Sequence, residues 1–214
     1  MSTSTALLRP RWIAALALVV LVVAMGLSAE YRSTATVAAS AQAKKFDPAA
    51  YGAQTYESKV VPAIQKGAVE LPELVEALEA DKDAAGAKYG HRHGTSPYSF
   101  AVKGTGEAGE VKGTLLQVTV PGLPEDTKVY LQIGPAINGT ALRDAAGFIT
   151  FNQFLNQVEY ADAATALNDQ MREKVLKNLD AAALKGKKIA FTGAFTLLTT
   201  STLTITPIAI EEAP

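Results

Sequence analysis

The hydrophobic pattern divides the chain into an apolar N-terminal segment, a short polar stretch and a longer amphipathic body. From Trp12 to Ala29 there is no charged side chain, and the single hydroxyl belongs to Ser28. A helix of this length extends roughly 27 Å, which is close to the thickness of a bilayer core. We therefore predict an N-terminal transmembrane helix over residues 12–29, with a tip before it (1–11) and a tether of small residues after it (30–45).

The charges that flank this segment predict its orientation. Arg9 and Arg11 precede it with no acidic residue upstream, and Glu30 follows it. The positive-inside rule then places the N-terminus in the cytoplasm and the body outside. We expect a single-pass signal anchor in a bacterial inner membrane, with the body in the periplasm or outside the cell. Cleavage after a small residue such as Ala29 is the alternative, and it would release a soluble protein.

Helical periodicity dominates from Phe46 to about residue 95. Asp47-Pro48 has the form of an N-cap followed by proline in the first turn, and Pro62 must kink or interrupt the helix that follows. A second helix is indicated at Leu71-Pro72, where apolar residues recur at helical spacing: Leu71, Leu74, Val75 and Leu78. We predict a small helical subdomain over residues 46–95 in which these two helices pack on each other.

Beyond residue 96 the pattern changes to the alternation typical of strands. Five strands are predicted, at residues 98–102, 114–120, 128–133, 188–195 and 202–208, with the longest helix, 160–179, between the third and fourth. This order predicts an α+β chain whose residues 96–214 form a five-stranded, antiparallel, partly open barrel resembling the OB-fold, with an inserted helix. The glycines from Gly104 to Gly109 are interpreted as a turn between the first two strands, because a dinucleotide fingerprint would need a helix after it.

Charge and composition exclude several functions. With 20 Lys and Arg against 21 Asp and Glu, the chain lacks the positive field that a nucleic-acid partner requires. The absence of Cys excludes thiol nucleophiles and cysteine-ligated metals. His91 and His93 have the spacing of metal ligands on a strand, but no third ligand lies nearby, and we interpret them as part of a solvated loop. We predict no catalytic residue, no metal and no cofactor.

One polar cluster carries the candidate site. It joins residues 139–144 to residues 151–157, which combine amides with aromatic rings. Such groups can line a sugar or peptide site, since amides donate and accept hydrogen bonds and are less costly to dehydrate than charges. The alternative is a purely structural network. The candidate residues are Thr140, Arg143, Asp144, Phe151, Asn152, Phe154, Asn156 and Gln157.

Four separated motifs carry a resemblance to a known family. They are residues 46–51 (FDPAAY), 56–62 (YESKVVP), 139–144 (GTALRD) and 151–157 (FNQFLNQ). In these motifs the chain resembles a bacterial family of predicted periplasmic lipoproteins of unknown function. The resemblance implies a small helical subdomain followed by a barrel-like domain, and gene neighbourhood with sugar ABC transporters. Because this chain has no Cys to carry a lipid, the resemblance leaves anchoring to residues 12–29.

Two functional hypotheses follow. The first is a noncatalytic, membrane-anchored envelope protein that is accessory to a sugar ABC transporter and binds its components or a saccharide through the polar cluster. The second is an envelope glycan hydrolase or transferase that uses carboxylates brought together by folding. Glycoside hydrolysis needs two carboxylates within about 10 Å in one cleft.

Overall fold

The computed structural model describes residues 18–25 and 46–213. The chain divides into two units, residues 1–45 and 46–214. Residues 18–25 are helical, and their large apolar side chains are exposed. Within the described ranges, no helix combines the length and the apolar character needed to span a bilayer. Most of the predicted transmembrane segment, the tip and the tether lie outside those ranges, so the anchor stays a prediction.

The second unit begins with a helix that is interrupted where Pro62 predicts. Helix α1 (Pro48–Thr55) starts at Asp47, whose carboxylate accepts the Ala50 N–H at 3.1 Å. A π-helical turn (Tyr56–Val60) then leads into helix α2 (Val61–Gly67). Because proline has no N–H to donate, the helix widens at this point, and the N–H of Val61 bonds to the carbonyl of Tyr56. Both the predicted N-cap and the predicted interruption are confirmed.

Helix α3 (Leu71–Ala80) and helix α4 (Lys82–Tyr89) follow. The four apolar residues predicted for the α3 face are all buried. They pack in a core with residues of the sheet such as Phe100, whereas Tyr56 and Ile64 of the preceding helix belong to a second core. The prediction that the two helices pack on each other is therefore wrong: each covers the sheet instead.

The sheet is mixed. It contains two short strands, β1 (Val69–Glu70) and β2 (Gly90–His91), and five long ones: β3 (Ser99–Lys112), β4 (Leu115–Thr119), β5 (Lys128–Gln132), β6 (Lys188–Thr196) and β7 (Thr202–Glu212). The long strands pair in the order β3-β4-β5-β7-β6, and β3 also pairs with β6. All five predicted strands occur, but β3 extends ten residues beyond its predicted end at Val102 and β7 extends four beyond Ile208. The predicted all-antiparallel arrangement is wrong, because β5–β7 and β1–β3 are parallel. A long crossover separates β5 from β7, which permits parallel pairing.

The predicted glycine turn at residues 104–109 is also wrong. Strand β3 runs through these glycines without a break, pairing with β6 as far as Glu107 and with β4 beyond it. A Cβ atom on Gly106 would lie 2.4 Å from the carbonyl oxygen of Thr119, and one on Gly104 would lie 2.9 Å from the Phe191 ring. The glycines therefore allow the neighbouring strands to approach closely, and they do not reverse the direction of the chain.

The insertion between β5 and β6 supplies the remaining helices. They are α5 (Ala141–Ala145) and α6 (Gln157–Met171), with a π-helical turn (Arg172–Leu176) after α6. Helix α6 begins three residues before the predicted position, because the Asn156 side chain accepts the Glu159 N–H at 3.0 Å and caps the helix there.

The sheet separates two cores. Phe100 and Phe195 face α3 in the first core, whereas the adjacent Ala101 and Ala194 face α2, α5 and α6 in the second. Successive residues of a strand point to opposite faces, so large and small side chains alternate across the sheet. The predicted boundary at residues 95 and 96 falls between β2 and β3, within the unit 46–214.

Candidate functional site

The structure brings three of the predicted site residues together on helix α5. Arg143 Nε donates to Asp144 Oδ1 at 2.8 Å, and Thr140 Oγ1 donates to Asp144 Oδ2 at 2.6 Å. The Arg143 side chain is 9% exposed and that of Asp144 is 16% exposed. Each charge is thus largely withdrawn from water and neutralised by the other.

Tyr160 of helix α6 completes this group. The Arg143 guanidinium carbon lies 3.5 Å from the centre of the Tyr160 ring, and Arg143 Nη1 donates to the Tyr160 carbonyl oxygen at 3.0 Å. The Tyr160 hydroxyl lies 3.5 Å from Asp144 Oδ1. Arg143 therefore ties α5 to α6, and these contacts favour a structural role for the ion pair.

An aromatic cluster lies against the same tyrosine. Phe154 contacts Tyr160, Phe46 and Tyr51, with ring centres 5.4, 5.5 and 5.6 Å apart. Phe151 meets Tyr160 edge-on at 5.7 Å but remains 44% exposed. Phe154 thus packs α6 against the start of α1, while Phe151 faces outward.

The predicted amides are at the surface. Asn156 caps α6, and Asn152 and Gln157 are exposed beside it. Four large apolar side chains are exposed on the same segment: Phe148, Phe151, Leu155 and Val158. We call them the 148–158 surface. Phe148, Leu155 and Val158 were not among the predicted site residues, because the sequence analysis selected this stretch for its amides and two of its aromatic rings, and no local pattern shows which apolar side chains stay exposed.

Burial also affects the ionisation of Tyr160. Loss of water raises the pKa of its hydroxyl; the Arg143 charge opposes this shift, and the Asp144 charge adds to it. The folded protein thus holds the Tyr160 proton more tightly than the unfolded chain does.

The sign of the resulting pH dependence follows from linkage. Tyr160 contributes stability below the ordinary tyrosine pKa of about 10, and this contribution is lost as the pH rises through the higher folded-state value. We expect Tyr160→Phe to flatten the fall in unfolding free energy above pH 10, as measured by urea denaturation across that range. Tyr130→Phe, which removes the hydroxyl of another partly buried tyrosine in strand β5, serves as the control. An unchanged slope in Tyr160→Phe would contradict the prediction.

A second feature next to Thr140 was not foreseen. It is a cleft of about 410 Å³ whose polar lining includes Thr114, Gln132, Thr140, Thr196, Thr204 and Thr206. We call it the threonine cleft. These residues come from β4, β5, β6, β7 and the adjoining loops, so their proximity depends on strand pairing and leaves little local signal in the sequence.

Carboxylates line one groove elsewhere. Asp47, Asp162 and Asp169 border a depression of about 420 Å³ between the start of α1 and helix α6. Asp47 caps α1, and Asp169 pairs with Arg172 at 3.0 Å. Two of the three carboxylates therefore already have structural partners.

The histidines are placed differently from each other. His93 packs against the Tyr160 ring with centres 6.2 Å apart, and its Nε2 is buried with no hydrogen-bond partner among the described residues. His93 thus lies in a loop as predicted but is partly buried there, whereas His91 is exposed as predicted but belongs to strand β2. Across residues 18–25 and 46–213, no group of three His, Cys, Asp or Glu side chains could hold a metal ion.

Comparison with known proteins supports the architecture and shows the family. An OB-fold protein from Thermotoga maritima is similar in structure, with a TM-score of 0.66 and 22% identity over 79% of this chain and 100% of that chain. That level of identity shows the fold alone. No curated protein matches the chain. The family profile described as predicted periplasmic lipoprotein (DUF2291) matches residues 17–211. The resemblance seen in the sequence is thereby confirmed, and the chain belongs to the DUF2291 family of predicted periplasmic lipoproteins.

Proposed function

We propose that this protein is a noncatalytic accessory of a sugar ABC transporter, anchored in the bacterial inner membrane by residues 12–29. In this proposal the body lies in the periplasm and docks on the transporter through the 148–158 surface. The observation that carries it is the exposure of four large apolar side chains within eleven residues of sequence, led by Leu155 at 85% and Val158 at 67%. Contiguous exposed apolar surface is typical of interaction sites.

The charge of this surface favours a protein partner. Residues 148–158 include no Lys or Arg, so they offer no electrostatic attraction to anionic lipid. Glu159, at their edge, accepts the Leu155 N–H at 2.9 Å. Apolar, charge-depleted centres are characteristic of protein interfaces. The gene neighbourhood implied by the family resemblance indicates a transporter subunit as that protein.

The scaffold supports such a role. The five long strands pair in a circuit that returns to β3, and we interpret this circuit as the predicted partly open OB-like barrel, which would hold α6 and its preceding loop in place. The Arg143 contacts brace α5 against α6 directly behind the surface. A rigid surface loses little entropy on docking.

Site-specific photo-crosslinking in native membranes tests the proposal. A photoreactive residue at Leu155 of the full chain should capture a membrane subunit of a sugar transporter, identified by mass spectrometry. The same residue at Val111, which is 42% exposed and lies outside both this surface and the threonine cleft, is the matched control. Capture of no transporter subunit at Leu155, together with unchanged uptake of every sugar in a deletion strain, would contradict the proposal.

The second candidate function is an envelope glycan hydrolase. It is favoured by the groove that Asp47, Asp162 and Asp169 border. Asp47 caps a helix and Asp169 pairs with Arg172, which leaves Asp162 as the third carboxylate of the groove. A catalytic pair would have to combine Asp162 with one of the other two. A hydrolase would release reducing ends from purified envelope glycan and lose this activity on Asp162→Asn. We expect no release by the unaltered protein, because a working pair needs a second carboxylate that is free to transfer a proton or to act as nucleophile.

A further inference from the structure

The threonine cleft has the size and position of a small-molecule site. Its volume of about 410 Å³ lies within the range of roughly 300–1,000 Å³ typical of such sites. It opens where the loops before β4 and after β6 meet the ends of β5 and β7. Five threonines border it: Thr196 bonds to Ser99 and Thr206 to Gln132, whereas Thr140 is partly exposed and Thr114 and Thr204 are exposed.

The lining chemistry restricts the ligand. Among the described residues that border the cleft, none carries a charged side chain. Phosphate and carboxylate ligands, including nucleic acids, are therefore disfavoured, because nothing in the lining neutralises them. Hydroxyls and amides both donate and accept hydrogen bonds, as the hydroxyls of a neutral sugar do.

We propose that the threonine cleft binds a neutral mono- or disaccharide. This inference rests on the proposed function, because the sugar bound in the cleft would be the one that the transporter carries.

The floor of the cleft is preorganised. Gln132 is 7% exposed; its Nε2 donates to Thr206 Oγ1 at 2.8 Å and to the Asn138 carbonyl at 3.0 Å, and its Oε1 accepts the Asn138 N–H at 2.9 Å. Gln132 thus fixes the loop after β5 against β7. A site held by buried hydrogen bonds loses little entropy when a ligand binds.

The hydroxyls that line the cleft can both donate and accept hydrogen bonds. Thr140 gives its proton to Asp144, which leaves its oxygen as an acceptor. Thr206 accepts the Gln132 amide proton and is only 1% exposed, so it belongs to the floor of the cleft with Gln132, whereas Thr114 and Thr204 are exposed at the rim. A sugar hydroxyl can donate to Thr140, and others can accept from Thr114 or Thr204, so the accessible hydroxyls provide both donors and acceptors for the same class of ligand.

Apolar side chains complete the match. Leu115 and Leu198 also border the cleft, and Leu198 is 81% exposed. Sugar rings have apolar C–H faces, and burial of these faces against leucine adds affinity that hydrogen bonds alone do not supply. The exposure of a leucine at the mouth of a polar cleft is consistent with a surface that a ligand covers.

Calorimetric titration of the full chain in detergent with D-glucose, D-galactose, D-xylose and maltose tests the inference. At least one should bind, and glucose 6-phosphate should bind no more tightly than glucose. The rim variant Thr114→Val/Thr204→Val keeps side-chain shape but removes two exposed hydroxyls, and we expect about a tenfold loss of affinity. Thr119→Val, an exposed β4 threonine outside the cleft, should leave affinity unchanged.

The outcomes separate the two proposals. Absence of binding for all four sugars, or equal affinity in the rim and Thr119 variants, overturns the saccharide site. Crosslinking at Leu155 measures contact with the transporter, and it does not depend on whether the cleft binds a sugar. Sugar binding without transporter capture and with unchanged sugar uptake in the deletion strain would leave the cleft assignment intact and overturn the accessory function. Transporter capture without sugar binding would overturn the cleft assignment alone.

Discussion

Replacing Asp144 with Asn is expected to lower the free energy of unfolding by about 3 kcal/mol. The substitution keeps the shape of the side chain but leaves the Arg143 charge, 9% exposed, without its counter-ion. It also weakens the acceptor for Thr140, whose hydroxyl lies 2.6 Å from the carboxylate. Urea denaturation monitored by circular dichroism measures the loss.

Asp169→Asn is the matched control for this prediction. Asp169 forms an ion pair with Arg172 at 3.0 Å, but the two side chains are 49% and 39% exposed. Surface pairs of this kind contribute about 0–1 kcal/mol, because water screens both charges. Similar losses in the two variants would show that the Asp144 pair is not a buried brace between α5 and α6.

Replacing Gly106 with Ala is expected to lower the unfolding free energy by up to about 3 kcal/mol. The added Cβ would lie 2.4 Å from the Thr119 carbonyl oxygen and 2.9 Å from a Val118 methyl, so β3 and β4 must separate. Because the obstruction includes backbone, a change of rotamer cannot relieve it. Denaturation of the purified variant measures the effect.

Gly109→Ala provides the control in the same strand. Its Cβ would lie 3.4 Å from the Gln117 carbonyl oxygen, close to ordinary van der Waals contact. The alanine also restricts the unfolded chain, which offsets part of any strain. We expect a change within about 1 kcal/mol, and equal destabilisation at the two positions would contradict the proposed close approach at Gly106.

Local patterns were the most reliable guides in this protein. The Asp47 cap and the Pro62 interruption depend on a few neighbouring residues, and both occur as predicted. The α3 face at Leu71 and Leu78 follows from a 3.6-residue period and is fully buried. These features need no information about distant parts of the chain.

The errors share one physical origin, which is non-local pairing. Glycines at 104 and 106 resemble a turn in isolation, but their role is set by Thr119 and Phe191 across the sheet. The parallel pairing of β5 with β7 depends on how the α5–α6 insertion crosses over. Loop closure between distant segments leaves no periodic signal at either one.

The candidate site shows the same division. Local sequence grouped Arg143 and Asp144 with the amides of residues 152–157, but only folding reveals that the ion pair is internal and that Leu155 and Val158 face outward. The threonine cleft could not be read from spacing, because its hydroxyls come from residues as far apart as Thr114 and Thr206.

The sequence by itself determined the α+β class, the presence and order of the five long strands, the starts of the first helix and of α3, the family and the lack of a thiol, since these depend on composition, period and short motifs. The tertiary structure decided the mixed pairing, the two cores on either side of the sheet, and which polar groups remain available for a ligand. These last properties depend on which distant residues meet, and that is settled by packing and hydrogen bonding across the whole unit.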